Sequence, residues 1–96
     1  MPRCALIVEF HLASGGWPSF QRIVAEHARL TRAEEPGCLQ FDLLHDEDAA
    51  DHAILVEIYA DRAAYDAHRE NPRMPAVNAA LAPLTVERKR TICTLE

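Results

Sequence analysis

Residues 35–61 read EPGCLQFDLLHDEDAADHAILVEIYAD, and their succession of turn, strand, loop, strand and helix cap decides the fold. Glu35-Pro36-Gly37-Cys38 is a turn, in which Pro36 presets φ at the second position and Gly37 accepts a positive φ at the third. Cys38 to His45 is rich in strand formers, and the polar stretch Asp46 to Asp51 returns the chain. His52 to Ala60 is the partner strand, so the two make a hairpin with a longish connection. Asp61 then caps a helix that carries Ala64, Tyr65 and His68 on one face.

Outward from this hairpin the pattern repeats in kind. Cys4 to Leu12 (CALIVEFHL) is a strand, broken by Ala13-Ser14-Gly15-Gly16. Pro18 suits the first turn of a helix, and Phe20, Ile23, Val24, His27 and Leu30 recur at helical spacing to about Ala33. After Asp61's helix, Asn71-Pro72 interrupts. Pro75 opens a further helix with Val77, Leu81 and Leu84 as its stripe, and Thr85 to Leu95 is a fourth strand. The order is β-α-β-β-α(α)-β. This predicts an α+β, ferredoxin-like domain with a four-stranded antiparallel sheet in the order 4-1-3-2 and helices on one face. Ninety-six residues leave room for one such domain, spanning 1–96.

Strand parity bears on assembly. Ile54, Val56 and Ile58 point one way while Ala53, Leu55, Glu57 and Tyr59 point the other; Cys4, Leu6, Val8, Phe10 and Leu12 oppose Ala5, Ile7, Glu9 and His11. Both faces are largely apolar, yet the helices cover only one, so a homodimer that covers the other is expected.

Ten basic against fifteen acidic side chains give a formal charge of −5, which argues against nucleic acid or an anionic membrane as partner. No apolar run approaches the ~20 residues of a membrane span. The N-terminal stretch, broken by Glu9 and His11, lacks the pattern of a signal peptide, so a cytoplasmic location is expected. Cys4, Cys38 and Cys93 lie at long spacings that form neither a disulfide framework nor a CxxC motif. The strand order puts Cys4 and Cys93 side by side as reduced thiols.

Few side chains stand out chemically. Glu57 and Tyr59 share a strand face, Glu57 being the odd residue of an apolar run, and His68 lies beside Tyr65 on the apolar face of its helix. Glu9 is a second mid-strand carboxylate. A Glu–Tyr–His set of this kind either moves protons in a cavity or ties the core together by hydrogen bonds; the residues alone leave both open. His11, His27, His45 and His52 stand in no metal-ligand spacing, and phosphate-cradling glycine motifs and nucleophile elbows are absent, so neither a metal nor an organic cofactor is expected. Arg73 and Met74 are placed to form a pocket lip. Arg88-Lys89-Arg90 reads as strand alternation.

The stretches EPGCLQFDLLHD (35–46), LVEIYAD (55–61) and AYDAH (64–68), followed by Asn71-Pro72, resemble the antibiotic biosynthesis monooxygenase superfamily over nearly the whole chain. The resemblance implies a dimeric α+β barrel with a cavity between helices and sheet in each protomer. It also implies cofactor-independent oxidation of a small aromatic or quinol-type substrate by molecular oxygen. On that reading His68, Tyr59 and Glu57 are the catalytic residues, and Phe41, Tyr65, Glu9 and Met74 line the substrate. Two departures accompany it. The haem-degrading and polyketide-oxidising branches carry an Asn late in the first strand, where this chain has Val8-Glu9-Phe10-His11, and the haem-degrading branch has Trp at the position of Tyr59; both argue against haem degradation. The aromatic or His that usually follows the second helix's Pro is here Arg73-Met74. The chain is also similar to the isomerase of phosphorylated autoinducer-2, at Val8-Glu9, Leu39 to Asp42, Glu57-Ile58-Tyr59, His68 and the basic run 88–90. Such an isomerase needs the same acid–base groups and cations for a phosphate. A non-catalytic, stress-response module that holds a small molecule is the alternative outside enzymology.

Overall fold

The computed structural model of the chain describes residues 2–96. Its elements are β1 (Arg3–Leu12), α1 (Trp17–Glu34), β2 (Cys38–His45), β3 (His52–Tyr59), α2 (Arg62–Arg69), α3 (Met74–Leu81), a 3₁₀ turn (Ala82–Leu84) and β4 (Thr85–Leu95). The strands form one antiparallel sheet in the order β2-β3-β1-β4. This is the order expected from the sequence, read from the opposite edge, and the fold is ferredoxin-like α+β.

Local chemistry accounts for the boundaries. A proline opens both α1 and α3, where a missing N–H leaves no partner unsatisfied. Asp61 caps α2 by accepting from the Ala64 N–H at 2.8 Å. The turn before β2 closes with Cys38 N–H donating to the Glu35 carbonyl at 3.0 Å. Gly37 is needed there for a different reason from the expected one. Its φ is not positive; instead a Cβ at this position would come within 2.5 Å of the Ala64 side chain, so glycine lets the turn touch α2.

Period-2 alternation holds along β1 and β3. Leu6, Val8 and Phe10 are buried on the helix-facing side together with Ala53, Leu55, Glu57 and Tyr59. Phe20 and Val24 of α1 are completely buried against this face, and the Phe10 and Phe20 rings meet edge-on with centroids 4.9 Å apart. Such a pair adds about 0.5–1.5 kcal/mol beyond the area it buries. The opposite face presents Ile7, Ile54, Val56 and Ile58, each only half-buried.

β2 breaks the alternation. Cys38 pairs with Tyr59 and Gln40 with Ile58, so Leu39 is an extra residue in a β-bulge and stands 44% exposed. The bulge shifts the strand's phase by one, which brings Phe41 opposite Glu57 on the helix-facing side. The thiols are free, but Cys93 pairs with Ala5 while Cys4 pairs with Thr94. Cys4 and Cys93 are therefore on adjacent strands yet on opposite faces of the sheet. Among the described residues no helix is long and apolar enough to cross a membrane.

Candidate active site

A cavity of about 470 Å³ lies between the three helices and the sheet, all four strands contributing to its lining. Leu6, Val8 and Phe10 form its floor, and each helix contributes to its walls, with His27 from α1, Tyr65 and His68 from α2, and Met74 and Val77 from α3. Beyond the helices the floor continues into β4, whose Arg88 and Arg90 border the open side.

Burial of Glu57, Tyr59 and His68 follows from the parities already described. They are 6%, 0% and 4% exposed, which forces each to find a partner inside the protein. The Tyr59 hydroxyl donates to Glu57 Oε1 at 2.6 Å. His68 Nε2 stands 4.0 Å from the same oxygen, while its Nδ1 lies 2.9 Å from Glu35 Oε1. Glu35 is itself held by the Asn71 amide at 3.2 Å and by Arg73 at 3.4 Å. The result is a chain of groups from Tyr59 through Glu57 and His68 to Glu35.

The carboxyl of Glu57 is pushed above its ordinary range chiefly by burial, against the Tyr59 hydrogen bond and the charges of His68 and Arg88 that pull it down. Burial, then the Glu57 charge and hydrogen bond, raise the Tyr59 phenol far enough to make it a permanent donor. In the tautomer that donates Nδ1–H to Glu35, the Nε2 of His68 carries no proton and has no hydrogen-bond partner, standing 4.0 Å from Glu57. That nitrogen can accept a proton from a bound molecule.

Of the residues predicted to line the substrate, Phe41, Tyr65 and Met74 border the cavity together with His68 and Glu57. Tyr59 stands behind Glu57 rather than on the wall. Glu9 does not join them: it lies on the opposite face of the sheet, 3.3 Å from His52 Nε2, because it sits one residue out of phase with Val8 and Phe10. Arg73 turns away from the cavity to Glu34, Glu35 and Thr31, so only Met74 of the predicted lip serves as one.

Four contributors escaped the sequence reading. Glu35 read as part of a turn, and nothing local marks it as the partner of a histidine thirty-three residues on. His27 lay within the apolar stripe of α1; that placement was its signal. It is buried beside Phe41 and His68, its Nδ1 has no hydrogen-bond partner, and burial, aided by the charges of His68 and Arg73, lowers its pKa to about 4. Arg88 and Arg90 figure in the sequence only as strand alternation and as part of the likeness to the isomerase; alternation is what turns both toward the cavity. Among the described residues no group of three or more His, Cys, Asp and Glu side chains gathers into a metal-binding set.

The family model for antibiotic biosynthesis monooxygenase matches residues 4–80. The chain belongs to the antibiotic biosynthesis monooxygenase family. No curated protein sequence matches this family member. Solved structures do. A Pseudomonas aeruginosa protein superposes with a TM-score of 0.89 at 22% identity, over 100% of this chain and 96% of the other. A Shewanella oneidensis protein gives 0.90 at 20% identity, over 98% and 91%. SnoaB, a cofactor-independent oxygenase from Streptomyces nogalater solved as an asparagine-to-alanine mutant, gives 0.88 at 18% identity, over 100% and 95%. At these identities the likeness establishes the shared fold of the family and not a shared substrate.

Proposed function

We propose that this family member is a cofactor-independent monooxygenase that oxidises a small aromatic or quinol-type compound with molecular oxygen, working as a homodimer. The observation that carries the reading is the orientation of His68, whose Nδ1 is tied to Glu35 while Nε2 stands free beside a buried Glu57. A quinol bound against Phe41 and Tyr65 would give a phenolic proton to Nε2, and the resulting phenolate is electron-rich enough to reduce oxygen. One oxygen atom enters the ring and the other leaves as water; the ring supplies all four electrons, passing from quinol to hydroxyquinone. The proton taken by His68 returns to the departing oxygen. The protein's part is to position the ring, exclude water and move that proton. Tyr59 acts through Glu57, holding the carboxyl in place.

The dimer is supported by the half-buried apolar face made by Ile7, Ile54, Val56 and Ile58. Oxygen consumption with a panel of quinols is the test of the activity. Uptake matched by one equivalent of hydroxylated product supports the reading; turnover of a phosphorylated ketone without oxygen, or saturable binding with no turnover, replaces it.

A further inference from the structure

The cavity's open side carries a charge that the proposed oxidation does not use. Arg69, Arg88 and Arg90 all border it. Their positions follow from the sheet: Arg88 pairs with Phe10 and Arg90 with Val8, both on the cavity floor, while Lys89 between them pairs with Glu9 on the far face. Alternation thus delivers two of the three consecutive cations to the cavity.

Among the described residues these cations form no ion pair, and Glu57 on the same cavity acts on Arg88 only from a longer range. The arginine ion pairs among the described residues belong to Arg29, Arg62 and Arg73, although the chain has fifteen carboxylates and a net charge of −5. Aromatic contacts hold the cavity arginines instead. Arg88 lies over the Phe10 ring at 5.2 Å, Arg69 over Tyr65 at 5.8 Å, and Arg90 donates to the Tyr65 hydroxyl at 3.0 Å. Stacking on a ring fixes a guanidinium's plane and leaves its N–H groups to point at something else. In an acidic protein, a cluster of unneutralised arginines at the mouth of an apolar cavity focuses a positive potential there.

We propose that Arg88 and Arg90, with Arg69 beside them, form an oxyanion subsite, and that the substrate is an aromatic or apolar body bearing one carboxylate or phosphate. The ring lies over Leu6, Val8 and Phe41 toward His68, and the anionic group meets the guanidinium forks at the β4 edge. The charge requirement concerns binding; that the ring is then oxidised rests on the function proposed above.

The experiment compares hydroquinone, 2,5-dihydroxybenzoate, 4-hydroxyphenyl phosphate and inorganic phosphate by calorimetric titration, with oxygen uptake followed in parallel. One or both of the anionic phenols should bind at least about tenfold more tightly than hydroquinone, as charge-assisted hydrogen bonds require. Which one does so distinguishes a carboxylate from a phosphate ligand, and inorganic phosphate should compete only with that ligand. Arg88→Gln should remove most of the preference for the anionic phenol. Lys89→Gln, the same change of charge one residue away on the other face, should leave the preference intact. Equal binding of charged and neutral phenols, or equal losses in Arg88→Gln and Lys89→Gln, overturns the subsite. An anionic phenol that binds by these rules without consuming oxygen keeps the subsite and removes the oxidation; hydroquinone oxidised with no preference for charge does the reverse.

Discussion

Two histidine–carboxylate pairs occupy opposite faces of the same sheet, and only one is arranged for chemistry. On the cavity side His68 Nδ1 meets Glu35 at 2.9 Å, with the imidazole 5% exposed, and Nε2 remains free beside Glu57. On the other side His52 Nδ1 meets Asp46 at 2.8 Å, and Nε2 faces Glu9 at 3.3 Å. Its ring also stacks on His11 with centroids 5.0 Å apart. Both nitrogens of His52 look at carboxylates, which favours the protonated ring and raises its pKa, Asp46 being the larger cause. A histidine held at one end is a base; one held at both ends is a brace.

The largest expected effect comes from removing the free nitrogen. His68→Gln keeps a polar group of similar reach but no base, and turnover of an active quinol should fall on the order of 10²–10⁴-fold. The melting temperature should change little, so a collapsed melt would instead mark His68 as a structural residue. Next in size is Glu35→Gln, which touches no substrate and acts only on the imidazole's orientation and tautomer. It should lower kcat more than it raises KM, and less than His68→Gln does. Nitrogen-15 spectra of the His68 ring should show the Nδ1–H tautomer in the wild type and a mixture in the variant; an Nε2–H wild type would sink the assignment.

His52→Gln should leave turnover untouched and show itself only in stability. Because the pKa of His52 is raised on folding, its contribution is complete below the ordinary value of 6.5 and is lost as pH rises through the folded value. The stability gap between wild type and variant should therefore narrow on going alkaline. His27→Gln sharpens the contrast with the opposite sign. Its pKa is lowered to about 4, so the unfolded chain binds the extra proton between roughly 6.5 and 4. Wild type should lose stability relative to this variant on acidification across that window, as thermal melts at stepped pH would show. A constant difference would mean that the buried imidazole has found a partner for its Nδ1.

Much of this was legible before any coordinates. The hairpin, the two proline-opened helices and the Asp61 cap are local signals, and strand parity placed Glu57 and Tyr59 on one face. What escaped was whatever depends on distant partners or on a break in periodicity. Glu35 and His68 meet across thirty-three residues, which no local pattern records. Parity also told against Glu9, since it is out of phase with Leu6 and Val8, but without knowing which face the helices cover that phase had no meaning. The β2 bulge was invisible because strict alternation from Cys38 sends Phe41 to the wrong side.

That bulge has a consequence for how the gene can vary. Leu39 is surplus to the ladder: with it removed, Cys38 would still oppose Tyr59, Gln40 would still oppose Ile58, and Phe41 would still oppose Glu57. A single-codon deletion at 39 is therefore silent for the cavity wall, whereas one between Phe41 and the loop leaves Phe41 in place and slips the rest of the strand against β3. The hairpin has one position where length can drift without moving the chemistry, and it directly follows the turn that supplies Glu35 and Gly37.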